Sequence, residues 1–160
     1  MELFQAIAHI HSQGVIHLDL RPENIIITKD KIVKLIGFGI RKQSSKKIKG
    51  IQTYLAPEIT EGNSFDSKVD IWSIGVIMYN LMTDRVPFII KSQKGKESQP
   101  ISVSCDFTGT KVSYYAQSIC KDMLQMDPEI RPTAKKLLGD PWFKMFDAVV
   151  EEQEEIIKKK

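Results

Sequence analysis

The sequence predicts a mainly α-helical domain carrying one small β-hairpin. Three observations point there. Several stretches repeat apolar residues at the three-to-four spacing of a helix, two short β-prone segments flank a polar tripeptide, and the row SKVDIWSIGVIMYNLM is apolar almost throughout after Asp70. At 160 residues the chain reads as one domain, and a globular chain of this size buries roughly 70% of its unfolded surface, enough for a real core.

The elements follow in order. Leu3, Phe4, Ile7, Ala8 and Ile10 keep helical spacing, and Gly14 stops that helix. Ile25 to Thr28 and Ile32 to Leu35 pair as strands across the turn Lys29-Asp30-Lys31, and a Gly37-Phe38-Gly39 turn closes the second strand. Arg41 to Lys49 holds five basic residues and two serines without apolar periodicity, which reads as an exposed loop rather than a nucleic-acid patch. Tyr54 to Glu58 leads into a second helical region. Ser67 to Met82 predicts a helix buried on most sides, the axis of the core. Lys91 to Ser104 is polar and shows no period. Ser113 caps a helix running to Met126, with Ala116, Ile119, Cys120, Met123 and Leu124 on one face. Thr133 to Leu138 predicts a further short helix with Pro132 at its start. The residues from 147 to 160 read as a charged, solvated helical tail, with Glu154–Lys158 and Glu155–Lys159 pairs worth ~0.3 kcal/mol each.

Composition narrows the function classes. A net charge of +3, from 23 basic and 20 acidic residues, is too mild to imply nucleic acid. Cys105 and Cys120 fit neither a metal spacing nor a disulfide framework and read as buried filler in a reducing compartment. The N-terminal stretch has no basic n-region, and no apolar run approaches about 18 residues, so no membrane association is expected and the protein is placed in the cytoplasm or nucleus. No EF-hand pattern follows residue 146, so calcium sensing is unsupported.

The chemistry-bearing stretch is His17-Leu18-Asp19-Leu20-Arg21-Pro22-Glu23-Asn24. It sets a carboxylate, a cation and an amide on one loop between a helix and a strand, which suits phosphoryl transfer. This stretch resembles the catalytic loop H-R-D-L-K-P-E-N of the eukaryotic protein kinase family. Gly37-Phe38-Gly39 follows where the family has Asp-Phe-Gly, and Ala56-Pro57-Glu58 where its activation segment ends. Asp70-Ile71-Trp72-Ser73-Ile74-Gly75, Val86-Pro87-Phe88, Asp127 to Thr133 and Pro141-Trp142-Phe143 follow in the family's order. The flavour is similar to calmodulin- or calcium-dependent serine/threonine kinases.

The resemblance implies a kinase-like C-lobe over residues 1–146, with the catalytic loop at 17–24 and the activation segment at 37–58, and without the N-lobe that supplies the glycine-rich loop and the phosphate-binding lysine. It implies Asp19 as catalytic base, Arg21 in place of the phosphate-contacting lysine, Asn24 as magnesium ligand, and Ile26 beneath the adenine. The competing reading is that Asp19, Arg21 and Asn24 only brace the loop by hydrogen bonds. His17 is implied to pack in an internal apolar column, Phe38 to anchor the turn but, with Ile26, to face water in an isolated lobe, and Trp72 to be structural. Asp70 is implied to accept from the catalytic-loop backbone, and Glu58 to pair with Arg131.

Three departures set the functional expectation. Gly37 replaces the aspartate that holds magnesium, and glycine has no side chain to do so. Leu18 stands where the family often has an arginine that receives a loop phosphate, so phosphorylated Ser44 or Ser45 would lack that receiver. Ile51 replaces a threonine whose hydroxyl links the loop to the catalytic residues. Loss of one group aimed at a transition state costs ~10² to 10³ in rate. The expectation is a pseudokinase lobe that has lost phosphotransfer, has no cofactor in the isolated chain although the family uses ATP and magnesium, and binds a protein partner through the face an N-lobe would cover. The alternative is a working serine/threonine kinase whose N-lobe lies outside this sequence or comes from another chain. A third reading is a remnant that never folds stably.

Overall fold

The computed structural model describes residues 1–38, 53–93 and 96–143. Helix α1 (Glu2–Ser12) buries Phe4 and Ile7. It stops at Gly14, whose φ of +69° favours glycine, while the Gly14 and Val15 amides donate to the His11 and Ile10 carbonyls. Strands β1 (Ile25–Ile27) and β2 (Val33–Leu35) pair antiparallel in the register Ile25–Leu35, Ile26–Lys34 and Ile27–Val33. Their turn is held by Thr28, whose Oγ1 accepts from the Ile32 amide at 3.0 Å. Glu2 ties this hairpin to α1 by accepting from the Val33 amide at 2.8 Å.

Helix α2 (Pro57–Glu61) starts on a proline, where no amide is needed, and ends at Gly62 in the left-handed region. Helix α3 (Lys68–Thr83) is the core axis that its apolar run predicts. Ile71 and Ile74 enter one apolar cluster with Phe4, Ile7, Leu20, Ile119, Met123 and Phe143. Val69, Trp72, Val76 and Tyr79 enter a second cluster with Leu18, Ala56, Phe88, Phe107, Cys120 and Leu124. One helix therefore serves two cores, and its buried polar side chains, Asp70 and Ser73, are hydrogen-bonded, Ser73 Oγ to the Tyr54 carbonyl at 2.7 Å. Gly75 leaves room for the end of α4 (Tyr114–Met123): a β-carbon there would lie 2.9 Å from Met123 Cβ and 3.0 Å from Leu124 Cγ.

Ser113 Oγ caps α4 by accepting from the Ala116 amide, and Thr133 Oγ1 caps α5 (Ala134–Leu138) by accepting from that of Lys136. The helix predicted from Ser113 to Met126 stops at Met123. Pro132 precedes the α5 cap rather than opening the helix. Phe143 returns to α1, its ring 5.0 Å from that of Phe4.

The sequence expectation of a single hairpin is corrected by β3 (Phe88–Gln93) and β4 (Lys96–Val103), a second antiparallel pair with two register irregularities. Residues 91–104 had shown no period because this strand pair is irregular and carries polar residues in succession, not in alternation. The fold is thus mainly α with two small two-stranded sheets among the described residues. Among the described residues no helix is long and apolar enough to cross a membrane. The loop 41–49 with Ser44 and Ser45, Ile51 and the tail 147–160 lie outside the described residues.

Burial pushes the Cys105 thiol up to about 11, and the Cys120 thiol also lies well above its ordinary value. Neither is poised as a nucleophile. Cys120 is fully buried, whereas Cys105 is only partly so.

Candidate functional site

The loop from His17 to Asn24 is fixed from below by one carboxylate. Asp70, 1% exposed on the first turn of α3, accepts from the His17 amide at 2.9 Å, the Leu18 amide at 3.0 Å and His11 Nε2 at 2.8 Å. Leu18 has φ +69°, a conformation costing an L-residue roughly 1–2 kcal/mol. Two hydrogen bonds from successive amides to one carboxylate hold it there, and its side chain is buried in the second core cluster. A residue at position 18 that points into the apolar core is not available to a phosphate.

His17 is fully buried. Its Nδ1 faces the Asp19 amide at 3.3 Å and so acts as acceptor, which puts the ring proton on Nε2. That nitrogen has no partner among the described residues. The ring lies 4.5 Å from that of Phe38.

Four loop residues are engaged in two pairs. Asn24 Nδ2 donates to the Asp19 carbonyl at 2.7 Å and to Asp19 Oδ2 at 2.9 Å. Arg21 does not reach outward: its Nε and Nη2 donate to the two Glu23 carboxylate oxygens at 2.9 and 2.7 Å. That hydrogen-bonded fork holds Glu23 down at about 2 and raises Arg21 further above its already high value. Gly37 follows β2 with φ +79°, and the Asn24 amide stands 2.9 Å from where its β-carbon would be.

A second group lies apart from the loop. Arg131 Nη1 and Nη2 donate to Glu58 Oε1 and Oε2 at 2.6 and 3.2 Å. The Lys68 carbonyl takes a further bond from Nη1, and the Gln125 carbonyl accepts from both Nε and Nη2. Trp72 supports the guanidinium, whose carbon stands 5.2 Å from its ring. Every donor-bearing nitrogen of this buried arginine is therefore satisfied.

The structure thus brings His17 to Phe38, Asn24 to Asp19 and Gly37, and Arg131 to Glu58 and Trp72, with Asp70 beneath the loop. Ile26 on β1 and Phe38 are 43% and 44% exposed, and Ile27, on the opposite face of the strand from Ile26, is 70% exposed. A groove of about 620 Å³ lies elsewhere, lined by Val103, Cys105, Lys121, Leu124, Met126 and Ile130 among others, and includes no catalytic-loop residue. Reading the sequence missed His11, which helical spacing places on α1 but which only the fold brings to Asp70. It also missed Glu23 as the partner of Arg21.

Among the described residues no group of three or more His, Cys, Asp or Glu side chains could hold a metal ion. Asp19 and the Asn24 amide oxygen are the donors at the loop, and magnesium bound with phosphates calls for carboxylate ligation that Gly37 does not contribute.

The protein kinase domain family matches residues 1–143. Serine/threonine-protein kinase AtPK1/AtPK6 of Arabidopsis thaliana is 35% identical over 153 residues, covering 89% of this chain and 32% of the relative. Serine/threonine-protein kinase cds1 of Schizosaccharomyces pombe is 32% identical over 160 residues, covering 89% and 34%. The maternal embryonic leucine zipper kinase of Xenopus laevis is 36% identical over 157 residues, covering 88% and 23%. The chain thus spans about a third or less of the length of these relatives. The match covers both the loop 17–24 and the buried Glu58–Arg131 pair, and the chain belongs to the eukaryotic protein kinase family as part of its catalytic domain.

Proposed function

We propose that this chain is a serine/threonine-kinase-family lobe that does not transfer phosphate and works by binding protein. The observation that carries the reading is Gly37. It stands where the family's magnesium-holding aspartate would be and has no side chain to hold a cation, and the Asn24 amide comes within 2.9 Å of where a β-carbon would lie. Arg21 adds to this, because a guanidinium already forked onto Glu23 is not free to meet a phosphoryl group. The features that build the lobe, Asp70 under the loop and Arg131 on Glu58, are complete. The half-exposed Ile26 and Phe38 supply apolar surface that a protein partner would cover.

A second reading, a working serine/threonine kinase assembled with a further lobe, is favoured by one observation. Asp19 is retained at the loop, and the relatives that match are named serine/threonine kinases. Family membership alone does not decide between them. Transfer of labelled γ-phosphate from ATP, with magnesium or manganese, to a serine/threonine peptide library separates the two. We expect no transfer above the level of an Asp19→Asn variant. Transfer that disappears in Asp19→Asn would establish the second reading.

A further inference from the structure

We propose that the outward face of the β1–β2 hairpin is covered by the chain's own residues 147–160, packed on it as an amphipathic helix. The inference deepens the proposed reading, since it rests on taking the Ile26 face as a protein-binding surface and names what covers that face in the free chain.

Strand alternation sets the face. Leu35 packs against the cluster that contains Phe4 and Phe143, so Lys34 and Ile36 beside it point the other way. The Ile36 amide donates to the Asn24 carbonyl and the Thr28 amide to the Ile32 carbonyl, which carries the pairing, and the alternation, out to Ile32 and Ile36. Ile26 lies across from Lys34 on the same face. Ile26, Ile32 and Ile36 are 43%, 52% and 45% exposed, with the exposed Lys34 among them. Three half-open isoleucines call for an apolar cover. The lysine at their centre calls for an acidic one, because a cover without a carboxylate would desolvate the ammonium unpaired.

Residues 147–160 have that chemistry. Val149, Val150, Gln153, Ile156 and Ile157 fall on one side of a helix, and Glu152 and Glu154 border that stripe. Five acids and three lysines give residues 147–160 a net charge of −2, whereas three lysines and one aspartate give residues 29–34 a net charge of +2. The segment also departs from the right place. The Phe143 ring is held 5.0 Å from that of Phe4, and Glu2, on the same turn of α1, accepts from the Val33 amide of β2 at 2.8 Å. Residues 144–146 span up to ~10 Å. A helix over 147–160 is about 21 Å long, more than the roughly 13 Å that separates Ile32 from Ile36 on an extended strand.

The test uses the 160-residue chain with its isoleucine and valine methyl groups labelled for NMR. We expect NOEs from the Ile32 and Ile36 methyls to the methyls of residues 149–157, together with slowed hydrogen exchange of the amides over 149–157. Lys34→Glu should speed that exchange by roughly threefold or more, whereas Lys111→Glu, an exposed change away from the hairpin, should leave it as it is. Absence of the NOEs, or equal exchange in the parent and Lys34→Glu chains, overturns the proposal. NOEs that arise only between differently labelled chains put a second copy on the face and overturn it as well. Should Lys34→Glu fail to fold, the NOEs of the parent chain decide. Phosphate transfer by the parent chain would sink the proposed function and leave these NOEs unchanged, while missing NOEs leave the transfer assay unchanged, so the two failures are distinguishable.

Discussion

Arg131 grips Glu58 with both arms of its guanidinium, Nη1 on Oε1 at 2.6 Å and Nη2 on Oε2 at 3.2 Å, and both side chains are almost completely buried. The pair joins α2 to the segment before α5, residues that are 73 positions apart in the chain. Burying two charges is costly, and here the remaining donors are satisfied by the Lys68 and Gln125 carbonyls.

Breaking the pair from either side leaves an uncompensated buried charge. Glu58→Gln and Arg131→Met should each destabilise the fold by about 3–5 kcal/mol, a large part of the ~5–15 kcal/mol available to a domain. In urea denaturation the double variant should lose clearly less than the sum of the two. Additive losses would mean that the charges do not act as a pair.

Gly75 predicts a sign rather than a size. Glycine to alanine inside an exposed helix gains about 1 kcal/mol, but here the added carbon would sit 2.9 Å from Met123 Cβ. Overpacking costs about 1–3 kcal/mol and outweighs the propensity gain. Gly75→Ala should therefore lower the urea midpoint; a raised midpoint would show that α3 and α4 separate without cost.

Glu23 predicts a pH response. Its folded value, lowered to about 2 by the hydrogen bond to Arg21, lies below the ordinary glutamate range. A depressed folded value means that the pair contributes above the unfolded value near 4.5 and that the contribution is lost as pH falls through about 2. Both side chains are more than a third exposed, so the effect on stability is small. A carboxyl NMR titration should find Glu23 well below its ordinary midpoint, and Arg21→Gln should return it there. An unshifted midpoint in the parent chain would show that the fork is not populated in solution.

Helix α3 and the β1–β2 hairpin were legible because their signals are local. An apolar row of this length has one destination, and two β-prone segments about a polar tripeptide leave few alternatives. The β3–β4 pair was not legible, since polar residues such as Lys96 to Gln99 form a strand through pairing with a partner that propensity does not announce. Glu58 with Arg131 and Asp70 with the loop amides followed from family resemblance and are present as hydrogen bonds. His11 on Asp70 spans 59 positions and carries no local signature. The same holds for Asn24 and Gly37. Glycine in sequence reads as a missing carboxylate, and only the fold shows the Asn24 amide standing 2.9 Å from where a β-carbon would sit.

Thermal unfolding of the 160-residue chain, alone and with saturating ATP plus magnesium or manganese, tests the central claim most directly. We predict one cooperative transition whose midpoint does not move with nucleotide and metal. A ligand at about 100 times its Kd adds roughly 2.7 kcal/mol to the native state, which for a domain of this size raises the midpoint by about 5–10 °C. A rise of that order would show that the native lobe binds the nucleotide with its metal, and would contradict the reading of Gly37 as the loss of the cation site.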